Sequence, residues 1–485
     1  LSSIGFIRFN LWLLPSLLSY SAYLYFLNQC KTNRQAWWSG YSFGLGHFTI
    51  GLYWLGEAFR TVDLTYLVPI GWFGLPLLFS FYSALASYGT YRLTQTPMGR
   101  ALCFSGLWAL SEWCRGHLFT GFPWNLSGYI WPLEILQTTS VIGIYGLSAL
   151  TLLLATSFYA RLKSVIAAII MLFVGFYLWG QVRLTYNPTQ EWDVNLRIVQ
   201  ASIPQNQKWL EEKFEDNLNR YIALSNLEAE RPLQAVIWSE AAVPAFVEKF
   251  PNLLAKISTA VPPQGLLILG APRALRAPEG GENWYTGLIA INSHGNVVDS
   301  YEKSHLVPFG EYMPFRWLHN ISKLTFGTKD YSPGHGIETL NLPGLPSVSP
   351  LICYEAIFPG SVALRNDRPQ WLLNQTNDAW YGDTAGPRQH LKIVSVRAIE
   401  EGIPLVRVAN NGISAVIDAL GRTLYRLELN DVGFIDFKLP KPLEQPTLYS
   451  QLSYELFFWA VVTMCLLASL WVERRIIRKN AVKFI

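Results

Sequence analysis

The chain has 485 residues, 51% of them hydrophobic and 15% charged, with a net charge of +4. Such an apolar composition excludes a disordered chain, and five cysteines over this length exclude a small disulfide-stapled scaffold. A soluble protein carries about a quarter charged residues, the 19 Trp residues suit a membrane interface, and the charge is too small and too dispersed to indicate a nucleic-acid partner.

Residues 1–183 contain six near-continuous apolar runs, at 9–27, 36–56, 64–91, 101–118, 138–160 and 165–182. Each approaches or exceeds the roughly 20 residues that cross a bilayer as a helix. A seventh run covers 456–472 and leads into a basic tail, so the expected division is 1–183, 184–455 and 456–485. Gly40 and Gly44, four apart, permit close helix contact. Glu112 and Arg115 lie three apart in the fourth run, on one helix face, as a structural ion pair or as a contact for lipid headgroups. Lys31 and Arg34, Arg92 and Arg100, and Arg161 and Lys163 follow alternate runs, and the tail carries Arg474, Arg475, Arg478 and Lys479, with Arg60 the exception. The positive-inside rule puts these loops in the cytoplasm and residues 193–440 on the outer side. It also puts residue 1 outside, which leads to the expectation of an earlier helix or signal before Leu1.

The middle of the chain has ordinary soluble composition. Apolar segments bounded by Pro, Gly and Asn predict strands at 194–200, 235–238, 266–269, 288–292, 348–352, 371–373, 405–408 and 414–418. An amphipathic pattern predicts a helix over 208–230, and a second over 386–402 has Pro387 at its first position and Gly402 as its stop. Strands alternating with helices indicate a layered α/β domain.

Three residues carry candidate chemistry. Cys353 ends a strand, where a side chain is exposed at a sheet edge; it has no disulfide partner nearby and no neighbours at metal-ligand spacing, so no metal or cofactor is implied. Taken alone it reads first as a small buried apolar residue. Glu240 follows the strand at 235–238, at a second edge or as a solvated loop acid, and Lys303 precedes an apolar run ending in Pro308 and Gly310, where a lone lysine is most often a surface charge.

Glu, Lys and Cys in this order, each beside a strand, resemble the nitrilase or carbon–nitrogen hydrolase superfamily. Ile352-Cys353-Tyr354-Glu355 is similar to its nucleophile motif, and Tyr301-Glu302-Lys303 with Leu306-Val307-Pro308-Phe309-Gly310-Glu311 to its lysine motif. The membrane half, with Gly121-Phe122-Pro123-Trp124, Ile203-Pro204-Gln205, Lys208-Trp209, Asn377-Asp378-Ala379-Trp380, Gln389-His390 and Asn410-Asn411-Gly412, narrows the resemblance to the apolipoprotein N-acyltransferase family. Two positions depart from the usual pattern: Trp238-Ser239-Glu240 stands for Trp-Pro-Glu, and Trp284-Tyr285 for Tyr-Asn, with Asn283 adjacent.

The resemblance implies a polytopic α-helical membrane domain joined to a nitrilase-like four-layer α-β-β-α sandwich on the periplasmic side of a bacterial inner membrane. It implies that Cys353 takes an acyl chain from a phospholipid, phosphatidylethanolamine being the expected donor. The acceptor is then the α-amine of a diacylglyceryl-apolipoprotein. In that scheme Glu240 is the general base, Lys303 and the backbone N–H of Tyr354 hold the oxyanion, Glu311 orients Lys303 and Glu355 fixes the nucleophile loop. Trp209 and Trp380, with residues 315–317, are the expected apolar contacts for substrate. The alternatives are a membrane-tethered amidase using the same three residues, and a lipid-binding or assembly protein with an inactive domain.

Overall fold

The computed structural model describes residues 13–161, 163–278, 280–314, 323, 329–452 and 455–482, with side chains as far as residue 475. Residues 315–317, expected to meet substrate, lie outside the described residues. The chain forms two compact units. One combines Leu1–Gly56, Leu67–Pro188 and Thr447–Ile485, and the other combines Thr189–Pro446 with Glu57–Tyr66, a segment expected in the helical half.

In the first unit each of the seven apolar runs, over its described residues, forms a helix: α1 (Leu13–Gln29), α2 (Asn33–Leu52), α3 (Val68–Leu93), α4 (Pro97–His117), α5 (Thr139–Ala160), α6 (Lys163–Tyr186) and the C-terminal helix Leu456–Val482. Among the described residues four stretches are long and apolar enough to cross a membrane: Thr65–Leu93, Thr139–Ala160, Lys163–Tyr186 and Leu456–Arg475. The described part of α1 has 17 residues, and α2 and α4 are more polar. Gly40 and Gly44 do bring two helices together. A Cβ on Gly40 would lie 2.7 Å from the Ser83 carbonyl oxygen of α3, and one on Gly44 would lie 2.7 Å from Ser83 Cβ. The contact therefore depends on small residues on both sides.

Glu112 and Arg115 are buried on α4, but no ion pair joins them. Glu112 accepts from Ser127 N (3.1 Å), Ser127 Oγ (2.6 Å) and Trp108 Nε1 (3.2 Å), while Arg115 donates to the Phe122 carbonyl at 2.6 Å and to that of Trp124. Both charges thus satisfy polar groups of the irregular segment after α4, where an unpaired backbone group would be costly.

The second unit contains two sheets. The first has the order β11-β1-β2-β3-β4-β5 and the second β10-β9-β8-β7-β6. Their strands are β1 (Glu191–Gln200), β2 (Ala235–Ile237), β3 (Leu266–Arg276), β4 (Glu282–Asn292), β5 (Val297–Glu302), β6 (Val348–Ile352), β7 (Trp371–Thr376), β8 (Leu405–Ala409), β9 (Ser414–Ile417), β10 (Thr423–Leu427) and β11 (Gly433–Pro440). Pairing is parallel for β1-β2-β3 and for β6-β7-β8, and antiparallel elsewhere. All eight expected strands are present. The three not expected, β5, β10 and β11, carry mostly half-exposed, polar-rich sequence without a continuous apolar run.

Side chains alternate between two cores, as the period of two in a strand requires. Ile237, Ile268, Ile352, Leu373 and Val408 pack between the sheets. Val236, Leu267 and Ile289 face outward, onto α7 (Glu211–Ser225) and α8 (Pro251–Ser258), through Leu218, Tyr221 and Ile257. Leu351, Leu372 and Leu405 face α9 (Ala385–Glu401) through Val394 and Ala398. The result is the four-layer α-β-β-α sandwich.

Two helix expectations are corrected. The pattern at 208–230 is a one-turn helix, Gln205–Lys208, followed by α7, because Trp209 and Leu210 leave helical geometry between them. Helix α9 starts at Ala385, capped by Thr384 Oγ1 accepting from Gly386 N at 3.1 Å, so Pro387 is its third residue; Gly402 ends it at φ +67° as expected.

Candidate active site

Strand β5 runs parallel to β2, since each of the intervening pairs β3-β4 and β4-β5 reverses direction. Glu240 therefore lies beyond the carboxyl end of β2 and Lys303 beyond that of β5, at the same end of the first sheet. Cys353 lies just beyond β6 of the facing sheet.

Lys303 is 1% exposed at its side chain. Its Nζ lies 3.0 Å from Glu311 Oε2, 3.1 Å from Glu311 Oε1 and 3.5 Å from Glu240 Oε1. Burial alone would lower its pKa; the Glu311 and Glu240 carboxylates more than reverse this and hold the ammonium charged. Burial raises the Glu240 carboxyl, Lys303 opposes the rise, and Glu311 adds to it as a like charge. Glu311 is itself fixed by Thr286 Oγ1 (2.9 Å) and by Val307 N (2.8 Å). The Glu240 turn lies close against β3: a Cβ at Gly270 would come 2.5 Å from Ser239 O and from Ala241 N, so only glycine fits there.

Cys353 is buried, with φ at +51°. A non-glycine residue in this left-handed region costs about 1–3 kcal/mol, and it persists where the surroundings over-determine it. Glu355 supplies much of that constraint. One oxygen accepts from Ile352 N at 2.7 Å. The other accepts from Ser304 N (2.7 Å), His305 N (3.1 Å), Ser304 Oγ (2.8 Å) and Tyr301 Oη (2.8 Å). One carboxylate thus ties the nucleophile turn to the segment bearing Lys303. Burial pushes the Cys353 thiol up to about 12; Glu240 adds to the rise, and Lys303 opposes it. The Cys353 thiol and the Glu240 carboxyl thus both hold a proton more tightly than usual. The Tyr354 ring packs edge-on to His305 and Phe358, with centroids 5.4 and 5.0 Å apart.

Trp209 and Trp380 line one cavity with Gln205, Lys208, Glu240, Thr286, Glu311, Tyr331 and Asn377. Both tryptophans expected to meet substrate therefore share the cavity of the two glutamates. Asn283 does not line it; Thr286, farther along β4, does.

Sequence reasoning assigned no role to several residues of the site. Lys208 is 2% exposed, and its Nζ donates to the Glu240 carbonyl at 2.9 Å. Under β6, Asn374 Nδ2 donates to Leu351 O (3.0 Å) and Cys353 O (3.4 Å), and Arg407 donates to Asn374 Oδ1. Arg407 also binds Asp378 at 2.5 Å, and Asp378 meets His390 Nδ1 at 3.1 Å. Burial would raise the Asp378 carboxyl, but Arg407 and His390 hold it well below the usual carboxylate range. Asn410 exchanges bonds with the Ile203 backbone at 2.7 and 3.1 Å and reaches Asn377 at 3.2 Å. Lys208, Asn377, Asp378, His390 and Asn410 come from the quoted motifs, whereas Asn374 and Arg407 do not. Their shared signal in the sequence was polar residues placed next to apolar strands.

Among the described residues no group of three or more His, Cys, Asp or Glu side chains could hold a metal ion. The arrangement gathers a thiol, two carboxyls and a buried ammonium, side chains of the kinds that acyl transfer uses.

Comparison with known proteins bears on both units. A family model described as apolipoprotein N-acyltransferase N-terminal domain matches residues 1–157, and one described as carbon-nitrogen hydrolase matches residues 195–440. The apolipoprotein N-acyltransferase of Rickettsia bellii is 38% identical, with 91% of this chain and 90% of that protein covered. The Rickettsia prowazekii protein of that name is 36% identical, with 92% of each covered. That of Rhodopseudomonas palustris is 38% identical over 86% of this chain and 81% of its own.

Proposed function

This chain belongs to the apolipoprotein N-acyltransferase family, and from that premise we propose that Cys353 carries a fatty acyl chain from a phospholipid to the N-terminal α-amine of a diacylglyceryl-cysteine. The enzyme is an N-acyltransferase. The observation that carries the mechanism is the convergence of a buried ammonium with two carboxylates, Lys303 lying 3.0 Å from Glu311 and 3.5 Å from Glu240, in the surroundings of a strained cysteine.

In the first half-reaction Sγ of Cys353 attacks the ester carbonyl carbon and Glu240 takes the thiol proton. The negative oxygen of the tetrahedral intermediate is held by Lys303 and by the backbone N–H of Tyr354. The C–O bond breaks, Glu240 returns the proton to the departing lysophospholipid oxygen, and a thioester remains. In the second, the amine nitrogen attacks the thioester, Glu240 accepts a nitrogen proton, and the C–S bond breaks. The proton then returns to sulfur and leaves an amide. The raised proton affinity of Glu240 suits it to accept a proton as each bond forms.

An acyl chain of about 16 carbons would cost on the order of 12 kcal/mol to expose fully to water, at roughly 0.8 kcal/mol per CH₂. Donor and thioester must therefore stay in apolar surroundings. We place this chemistry at the outer face of a bacterial inner membrane, with phosphatidylethanolamine as the donor. The distribution of basic loops supports that orientation, and Trp209 and Trp380 would receive the apolar substrate.

The test uses phospholipid with a labelled acyl chain. Wild type should acquire a hydroxylamine-labile label that Cys353→Ala cannot acquire. Addition of a diacylated lipopeptide should discharge it only when the N-terminal amine is free. Absence of label in wild type would overturn the acyl-enzyme scheme. Equal discharge by a blocked lipopeptide would overturn N-acylation and favour the hydrolytic, amidase-like reading.

A further inference from the structure

The charges around the cavity are unevenly matched without Lys208. Glu240, Glu311 and Glu355 follow β2, β5 and β6, and Lys303 is the ammonium that pairs with the first two. Asp378 is closed against Arg407 and His390. The phenols of Tyr331 and Tyr381 are pushed up by burial and remain uncharged. Glu355 is taken up by its own five donors, so two carboxyls line the cavity against one ammonium, or two once Lys208 is included. Lys208 lines the same cavity as Glu240 and Glu311, and its hydrogen-bond acceptor among the described residues is the Glu240 carbonyl.

This imbalance matters to the second half-reaction. Only the neutral amine has a lone pair to form the C–N bond, and an α-amine ordinarily titrates at about 7.7–8.0. A site with excess negative charge binds the ammonium form and moves that titration upward, by about 1–3 units for an opposite charge within about 4–6 Å. An acceptor arriving as ammonium would then pair with Glu240 and leave the thioester unattacked.

We propose that Lys208 is a positioning residue for aminolysis, its ammonium holding the Glu240 turn and offsetting the carboxylates so that the acceptor amine enters uncharged. The inference rests on the acyl-enzyme reading above. Burial draws the Lys208 ammonium down to about 8, while Glu240 and then Cys353 pull it back up, so the group is still largely charged at neutral pH.

The two half-reactions are measured separately on the full chain in mixed phospholipid–detergent micelles. Loading is followed with labelled phospholipid, and discharge with a free-amine diacylated lipopeptide from pH 6 to 10. In Lys208→Met, discharge at pH 7 should slow at least tenfold more than loading, and the midpoint of its pH profile should rise by about one unit or more. Lys208→Arg should restore the wild-type midpoint, and Lys208→Gln serves as the neutral variant if Met does not fold. Equal slowing of both half-reactions with an unmoved midpoint would overturn the proposal and leave Lys208 a structural prop for the Glu240 turn. A wild type that fails to load would instead overturn the acyl-enzyme reading itself.

Discussion

Glu355 does at residue scale what no single hydrogen bond could do. Its two oxygens take five donors from two separate segments, Ile352 on one side and Tyr301, Ser304 and His305 on the other. Glutamine has one oxygen to offer and an amide that cannot accept, so Glu355→Gln leaves Ile352 N or the Ser304–His305 pair unsatisfied. A buried unsatisfied donor costs about 1–3 kcal/mol. The expected result is a fall in kcat of tenfold or more with a smaller change in KM, measured on a single lipopeptide acceptor. Cys353 yields a second prediction at this scale. Its thiol is raised to about 12, so thiolate is scarce at neutral pH and increases as pH rises. Alkylation by iodoacetamide should climb from pH 7 to 10 without reaching a plateau. Lys303→Met removes the charge that opposes the rise and should lower the rate at every pH in that range. A plateau near pH 8 in wild type would contradict this environment.

At the scale of elements, what the sequence discloses depends on burial. Strands β2, β6, β7 and β8 are buried throughout, and each carries enough adjacent apolar residues for pattern reading to find it directly. Strands β5, β10 and β11 are partly exposed, and with polar residues interrupting each run they cannot be told from loops. The predicted helix at 208–230 failed for a related reason: amphipathic spacing continues across Leu210, although the backbone does not. Lys208, the first residue of that predicted helix, instead ends the one-turn helix and is buried against the Glu240 turn. Order and neighbourhood singled out Glu240, Lys303 and Cys353 as candidates; the partners of Glu355 and Asp378 required distances. The α2-α3 contact was legible only as a spacing of small residues. Its test is Gly44→Leu, whose side chain would meet Ser83 and the Ser80 backbone. Overpacking of this kind costs about 1–3 kcal/mol, and thermal unfolding of the detergent-solubilised protein should begin several degrees lower than in wild type.

At the scale of the molecule, the helical unit is assembled from stretches on both sides of the α/β unit, Leu67–Pro188 before it and Thr447–Ile485 after it. Within that helical unit, Glu473 of the C-terminal helix accepts from Thr96 N (2.9 Å) and Thr96 Oγ1 (2.7 Å) at the start of α4, and Ser469 Oγ donates to the Gly99 carbonyl at 2.9 Å. A helix made after the α/β unit is therefore the clasp for one made before it. Until Ser469 and Glu473 have been made, the amino end of α4 lacks these partners, and by then the whole α/β unit has been synthesised. Biogenesis of this enzyme is thus ordered by its topology: the machine that performs the chemistry is complete before the bundle that anchors it has closed.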